Sequence, residues 1–378
     1  MNVVYMTNQP YPAGMAGTKR IRMLAESMAT LHQVEVLVLG SRSYGNAKKG
    51  KFNGVKYRHI PFSRKDLLFG FLKARKILQA RFIDNEINAI VFYDGVGLKN
   101  FWFCTIGRKL GFSTYADIVE DYSVHEENAS IALSFLHKVN AQIEKRYSKL
   151  LDGIAVISSG LEEKFLSLNM PAERIVRISV CAENYDLNLP KVEKMNEHVR
   201  FVYSGSFGVK DGVEYLVDAF CILKIKFPEA TLLLSGKIND KIASKIKGKD
   251  GIEYVGLVPD EDFYQFLQDA DVLMMTRIGS AYANTGFPFK LGEYMATGNP
   301  VITTNVSDIS KLFKDKKEVI LVEPSNVSSL FKGMEYFMLN RIESKEIGAR
   351  GKVLGASLFS PLLNGQKLGN FILNTSIK

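Results

Sequence analysis

Residues 284–304 read NTGFPFKLGEYMATGNPVITT. A Gly-Phe-Pro turn leads into a segment whose pattern predicts a helix over 289–297. That helix stops at Gly298, because glycine tolerates the left-handed conformation that closes a helix. Asn299-Pro300 then opens an apolar strand at 300–303. One carboxylate, Glu293, rides on the first turns of the helix, directly in front of a strand with the look of a buried one.

The same order of elements extends in both directions. Short β-branched runs predict strands near 2–6, 34–39, 54–60, 89–93, 113–120 and 153–157, with helices at 16–31, 64–85, 97–110 and 129–149. The polar stretch 184–200 reads as a linker with no period of its own. Beyond it, strands are predicted near 200–204, 230–235, 252–255, 271–275, 300–303 and 318–322, and helices at 211–226, 259–268, 289–297 and 325–340. Near-continuous apolar strands joined by helical crossovers mean parallel sheets covered on both faces. The expectation is therefore an α/β chain of two doubly wound Rossmann-like domains, 1–185 and 198–358, with a cleft between them. The segment 359–378 is expected to be a closing helix that completes the first domain.

The chain has 378 residues, of which 46% are apolar and 24% charged, as in a soluble globular protein. No apolar run is long enough to span a bilayer and the N-terminus lacks the pattern of a signal peptide, so the expected location is cytoplasmic. Cys104, Cys181 and Cys221 stand far apart and read as buried thiols, neither a disulfide framework nor a zinc site. The net charge of +9 is concentrated: between Lys48 and Arg81 stand eleven Lys or Arg against one acid, Asp66. Leu67, Leu68, Phe71, Leu72, Leu78 and Phe82 are interleaved with these charges at roughly helical spacing. Such a segment, 48–82, fits the inner face of an anionic membrane; a solvated basic face fits it equally. No aromatic reading motif accompanies the charge, so nucleic acid is not an expected partner.

Ligands of doubly wound sheets bind outside the carboxyl ends of the strands, so the residues there are the candidates. Gly14 and Gly17 follow the first strand and open a helix, as an anion loop or as a plain turn. Asp94 follows the fourth strand, and Glu120, Asp121 and His125 follow the fifth, for charge or proton work or as helix caps. In the second half, Gly205, Ser206 and Lys210 open a helix in a manner suited to a diphosphate. Lys237 repeats the pattern after the next strand, and Val258 sits in a loop that suits a base edge. Glu293 is poorly placed for phosphate but well placed to accept hydrogen bonds from paired sugar or ribose hydroxyls, with Lys290 as the opposing charge.

At this point the sequence resembles the retaining glycosyltransferases of the GT-B fold, family 4, over almost its whole length. The segment FPFKLGEYMATGNPVITT carries the strongest likeness, supported by YSGSFGVKDGVEYLVDAF, DADVLMM and IAVISSGLEEKF. The resemblance implies a UDP- or GDP-sugar donor on the second domain. Glu293 would hold ribose or sugar hydroxyls, and the backbone of Gly286, Phe287 and Phe289 would line the sugar and diphosphate. Gly14 and Gly17 would complete the donor site. The acceptor, a saccharide or lipid-linked saccharide, would dock on the first domain, where Arg20, Asp94 and His125 are the acceptor-side candidates. No metal and no cofactor are implied. This chain departs from the family pattern at Thr285, where a carboxylate is usual, and at Ser206 and Asp211, where the diphosphate-clamping Arg and Lys are usual. It also departs at Glu120-Asp121, where a His-Asp pair is usual.

The catalytic candidates are thus Glu120, Asp121, Lys210, Lys290 and Glu293. The expected reaction is retaining glycosyl transfer in bacterial cell-surface polysaccharide assembly. A sugar-nucleotide 2-epimerase or a non-catalytic partner subunit on the same plan are the alternatives.

Overall fold

The computed structural model describes residues 1–40, 45–121, 131–183 and 198–376, without the side chains of 131–134, 136 and 137. Most of the expected linker at 184–200 therefore lies outside the described residues. The chain divides into two compact units. One comprises Met1–Cys181, Thr285–Phe287 and Pro361–Lys378; the other comprises Ala182–Asn284 and Pro288–Ser360.

The first unit runs β1 (Asn2–Thr7), α1 (Ala16–Ala29), β2 (Gln33–Leu39), β3 (Lys49–Phe52), β4 (Val55–Ile60), α2 (Arg64–Phe69), α3 (Phe71–Gln79) and β5 (Asn88–Tyr93). It continues with α4 (Phe101–Lys109), β6 (Ser113–Ile118), α5 (Ile131–Ser148), β7 (Gly153–Val156), α6 (Ser159–Ser167) and β8 (Ile175–Arg177). The sheet order is β3-β4-β2-β1-β5-β6-β7-β8, parallel except for the antiparallel edge strand β3. Every residue of β1 and β5, the central strands, is buried.

The second unit runs β9 (Val199–Ser204), α7 (Val213–Lys226), β10 (Ala230–Ser235), α8 (Asp240–Ile246), β11 (Ile252–Gly256), α9 (Asp260–Gln268) and β12 (Val272–Met275). Then come α10 (Ala281–Thr285), α11 (Phe289–Thr297), β13 (Val301–Thr304), α12 (Ile309–Leu312), β14 (Ile320–Val322), α13 (Val327–Leu339) and α14 (Arg341–Leu358). The order β11-β10-β9-β12-β13-β14 reverses direction between β9 and β12, and the first sheet reverses between β1 and β5. Open α/β sheets take their ligands at such reversals, outside the carboxyl ends of the strands.

Several stretches differ from expectation, and β3, β8, α6, α8, α10 and α12 were not foreseen. The single helix expected over 64–85 is two, because Gly70 is a buried junction where an added Cβ would strike the Asp66 carbonyl and Trp102. The fifth strand ends at Ile118 rather than at residue 120. Helix α14, unforeseen, packs through a glycine face: Cβ atoms at Gly348 and Gly355 would fall 2.6 Å from the Gly298 carbonyl and 3.2 Å from Met295. The last helix, α15 (Pro361–Ser376), lies on α1. Gly365 abuts Ser27, the Ser27 hydroxyl donates to the Leu362 carbonyl at 3.0 Å, and Tyr115 bonds Thr375 and Ser376. Cys104 and Cys181 are buried free thiols with pKa pushed up to about 12 by burial, and Cys221 is half-buried.

The interior of the first unit holds an ion pair. The Arg20 guanidinium donates to both oxygens of Asp117, from Nη2 at 2.8 Å and from Nε at 3.0 Å, and neither side chain is exposed. Its remaining donors go to the Ile178 and Ser179 carbonyls, and Tyr5 donates to Asp117 at 2.5 Å. Arg20 is therefore a buried tie between α1, β6 and the end of β8, which corrects the expectation that it faces an acceptor. Removing one member of such a pair strands a charge in the interior. Arg20→Met should lower unfolding free energy by about 3–5 kcal/mol, measured by urea denaturation; the double variant with Asp117→Asn should recover much of the loss.

Candidate functional site

The turn at the end of β9 is where the second unit gathers its charges. Asp211 is buried just before α7, held by Lys290 of α11, whose Nζ donates to Oδ1 at 2.9 Å. Ser206 donates to the other carboxylate oxygen at 2.6 Å. Lys290 also donates to the Tyr203 hydroxyl at 2.7 Å, and that hydroxyl in turn donates to the Ser206 carbonyl. Thr276, just past β12, donates to the Asp211 carbonyl at 2.7 Å. Tyr294 of α11 both donates to the Ser204 carbonyl and accepts from the Ser204 amide, each at 2.8 Å. The cluster thus binds the β9 turn, the end of β12 and the start of α11 into one piece at the reversal point of the sheet.

Lys290 was expected to share a face of α11 with Glu293 and supply the opposing charge. Instead two of its three donors are committed to Asp211 and Tyr203. Ser206 and Asp211, which stand where the family pattern has two cations, are bonded to each other. Gly205 is required at the turn because a Cβ would sit 2.6 Å from Lys290 Nζ. Gly236, at φ +129°, presses its Cα against the Gly205 carbonyl.

Electrostatics set the ionisation of this cluster. Burial pushes the Asp211 carboxyl up, but the Lys290 charge and the bonds from Ser206 and Lys290 outweigh it, and the net shift is downward. Burial lowers the Lys290 pKa against the pull of Asp211, and the fields of Arg277 and Lys210 lower it further. Arg277 follows β12 and donates to the Ala283 carbonyl at 3.4 Å. Lys210 lies 4.9 Å over the Tyr282 ring. The fields of Arg277 and Lys210 thus act on the Lys290–Asp211 pair. Arg277 was missed in the sequence, although an Arg two residues past a buried strand obeys the same strand-end logic that singled out Lys210.

Of the remaining donor-side candidates, Glu293, Lys237, Val258 and Phe289 belong to the second unit, and Thr285, Gly286 and Phe287 to the first. Glu293 is half-buried on α11, and its charge helps raise the pKa of Tyr264 on α9, where burial is the larger cause. Lys237 is exposed after β10, and Val258 is half-buried after β11. Gly286 and Phe287 are buried, while Thr285 and Phe289 are half-buried.

In the first unit, Gly14 and Gly17 are half-exposed ahead of α1, and a Cβ at Gly17 would lie 2.8 Å from the Tyr93 hydroxyl. Asp94 follows β5 at φ +62° and its amide donates to the Asp117 carbonyl at 2.7 Å. Glu120 is half-buried at the end of β6. Asp121 is buried and ion-paired: Lys164 of α6 donates to it at 2.7 Å and to Glu144 of α5 at 3.0 Å. Burial raises the Glu144 pKa despite Lys164. His125 lies outside the described residues. Among the described residues no group of three or more His, Cys, Asp or Glu is disposed to hold a metal ion.

The charged turn falls inside a recognised domain. Residues 198–340 match the family model described as Glycosyl transferases group 1. The amylovoran biosynthesis glycosyltransferase AmsK of Erwinia amylovora is 26% identical over 166 residues, 42% of this chain and 40% of that protein. An uncharacterized glycosyltransferase of Methanocaldococcus jannaschii is 22% identical over 198 residues, 48% of this chain and 50% of that protein. The chain thus spans half or less of the length of these curated relatives. Two solved structures superpose throughout. Sucrose-phosphate synthase of Thermosynechococcus elongatus gives a TM-score of 0.75 at 17% identity, covering 99% of each chain. Anabaena HepE in complex with UDP gives 0.78 at 12% identity, covering 99% of this chain and 100% of that one. The fold is GT-B. The expectation of two Rossmann-like α/β domains holds, and residues 198–340 of the second unit are similar to the glycosyl transferases group 1 model.

The buried pair makes two predictions. Lys290→Met leaves Asp211 ionised and unpaired in the interior, so unfolding free energy should fall by about 3–5 kcal/mol. Adding Asp211→Asn should restore most of it, and a four-way urea comparison reads the coupling. Because the folded carboxyl titrates below its unfolded value of 3.8, its contribution is complete above that pH and is lost as pH falls through the folded pKa. The stability difference between wild type and the double variant should therefore fall in acid as Asp211 protonates, and rise in alkali, where the lowered pKa makes folded Lys290 give up its proton before the unfolded chain does.

Proposed function

We propose that the protein is a glycosyltransferase that moves a sugar from a nucleotide-sugar donor to a saccharide or lipid-linked saccharide, with retention of anomeric configuration. The observation that carries this is the cation cluster at the β9–β12 reversal point: Lys210, Arg277 and Lys290 around Asp211. Cations beside the N-terminal turns of α7 and α11 suit a diphosphate, whose charge is about −2 at neutral pH. Glu293, one turn into α11, then meets ribose or sugar hydroxyls. Gly205, Ser206, Lys237, Val258 and Phe289 line the donor in this reading. The match of 198–340 to a glycosyltransferase domain supports it, as do the UDP and UDP-glucose in the HepE structures.

The chemistry follows from the charges. The acceptor hydroxyl attacks the anomeric carbon from the face that the nucleotide leaves. The bond from that carbon to the phosphate oxygen breaks, and the departing phosphate takes the acceptor proton. Negative charge grows on the leaving diphosphate, so Lys210 and Arg277 stabilise the transition state more than the ground state. Lys290 acts there through its fixed position, its geometry set by Asp211 and Tyr203. Glu120 and Asp121 keep charge-placing roles near the donor sugar, and Asp94 an acceptor-side role. In this reading the chain's own cations balance the diphosphate, with no metal ion and no cofactor. AmsK is named for amylovoran biosynthesis, which supports a place in cell-surface polysaccharide assembly, with the enzyme on the cytoplasmic side.

Thermal-shift titration with UDP, GDP, ADP and CMP and their sugars tests the donor. One nucleotide series should raise the midpoint, by the equivalent of about 2.7 kcal/mol at 100 times Kd. Lys210→Ala should weaken every diphosphate of that series at least about tenfold. Glu293→Ala should weaken the nucleotide sugar while leaving inorganic pyrophosphate binding unchanged. Absence of any shift in the wild type would overturn the reading.

A further inference from the structure

The edge hairpin of the first sheet is charged on one face. In the antiparallel β3–β4 register Lys49 stands opposite Arg58, and Lys51 opposite Lys56. Residues directly opposed share a face, and like charges so placed disfavour the pairing. All four are exposed, and none has a carboxylate partner among the described residues. The alternate residues Val55 and Tyr57 are buried toward the other face, where Tyr57 packs on Tyr11.

The face carrying these cations also carries α2 and α3. Glu35 of β2 is the register partner of Lys56, and its carboxylate is bound by Arg81, just past α3, at 2.6 and 2.9 Å. Ile90, in line with Glu35 through Val4, touches the α4 glycine Gly107, which Leu78 of α3 also lines. On α2 and α3 large apolar side chains stand in water. Leu68 and Phe69 are each 70% exposed and Leu72 is 65% exposed. Helix α2 buries no residue at all. Arg64, Lys65, Arg75 and Lys76 are exposed among them.

We propose that this face docks on the surface of an anionic lipid bilayer. The hairpin quartet supplies long-range attraction to acidic headgroups, and Leu68, Phe69 and Leu72 enter the boundary between headgroups and acyl chains. Charge complementarity selects lipid: Arg64, Lys65, Arg75 and Lys76 are interleaved with the apolar side chains along α2 and α3, the hairpin adds four more exposed cations, and a headgroup layer matches both characters. Among the described residues no helix is long and apolar enough to cross a membrane, so the association is peripheral. The proposal does not rest on the donor site, whose charged cluster belongs to the second unit, and nucleotide binding should be the same in every variant below.

Vesicle flotation of the full chain tests it. Wild type should float with phosphatidylcholine vesicles containing about 30 mol % phosphatidylglycerol and be released at about 0.5 M salt, where screening shortens the reach of the charges. Lys49→Gln/Lys51→Gln/Lys56→Gln/Arg58→Gln and, separately, Leu68→Ser/Phe69→Ser/Leu72→Ser should each bind at least about tenfold less. All seven positions are exposed, so folding should survive, and an unchanged thermal midpoint checks it. Equal binding to pure phosphatidylcholine, no binding by wild type, or wild-type binding by both variants would each overturn the proposal. So would concentration-dependent self-association that the serine variant abolishes, if vesicles are ignored, since the face would then be a contact between two copies of this chain.

Discussion

The Lys290–Asp211 ion pair is the constraint on which the arrangement of the second unit's strand ends depends. A buried carboxylate needs a partner, and the partner comes from a helix about eighty residues away in sequence. Once Lys290 is fixed there, Gly205 has no room for a side chain, and Tyr203 is fixed by the ammonium it accepts from. Gly236 must then leave room for the Gly205 carbonyl. The pair is therefore less a store of stability than a device for placing one helix N-terminus beside another. Beside it stand Lys210 and Arg277, whose fields act on Lys290.

The first unit solves the same problem by different means. Arg20 and Asp117 are wholly interior, and every guanidinium donor group finds an oxygen on β6 or beyond β8. A guanidinium suits this role because its planar fork meets both carboxylate oxygens at once. Lys164, bridging Asp121 and Glu144, holds the end of β6 in a similar way. Acids that crowd the strand ends are thus anchored by cations from neighbouring helices. In each unit the reversal point is flanked by groups whose positions are fixed by such pairing.

Much of this was legible in the sequence, and for identifiable reasons. The strands at 2–7, 199–204 and 230–235 are apolar runs with clear breaks, and parallel sheets buried on both faces leave that mark. The stop at Gly298 was legible because only glycine sits easily at φ +78°. Helix α14 was not legible: its contact face is Gly348, Gly351 and Gly355, which give no apolar period. The break at Gly70 was hidden for the opposite reason, since amphipathic spacing continues through it while backbone and Trp102 fill the space that a side chain would need.

The sequence by itself determined the alternation of strand and helix, the positions of the strand-end turns and the pile-up of cations before residue 82. Those are local properties, written in periodicity, in glycine and in charge. Which charges remain available was decided only by the tertiary structure. Arg20 and Lys290 look alike in sequence, each a cation early in a helix after a glycine turn. One is sealed beneath the first sheet's strand ends and the other is tied to Asp211 at the strand ends of the second, because ion pairing acts through space between groups that the chain separates by scores of residues. The facing of Lys49 and Lys51 onto Arg58 and Lys56 is likewise a fact of strand register, and no spacing along the chain announces it.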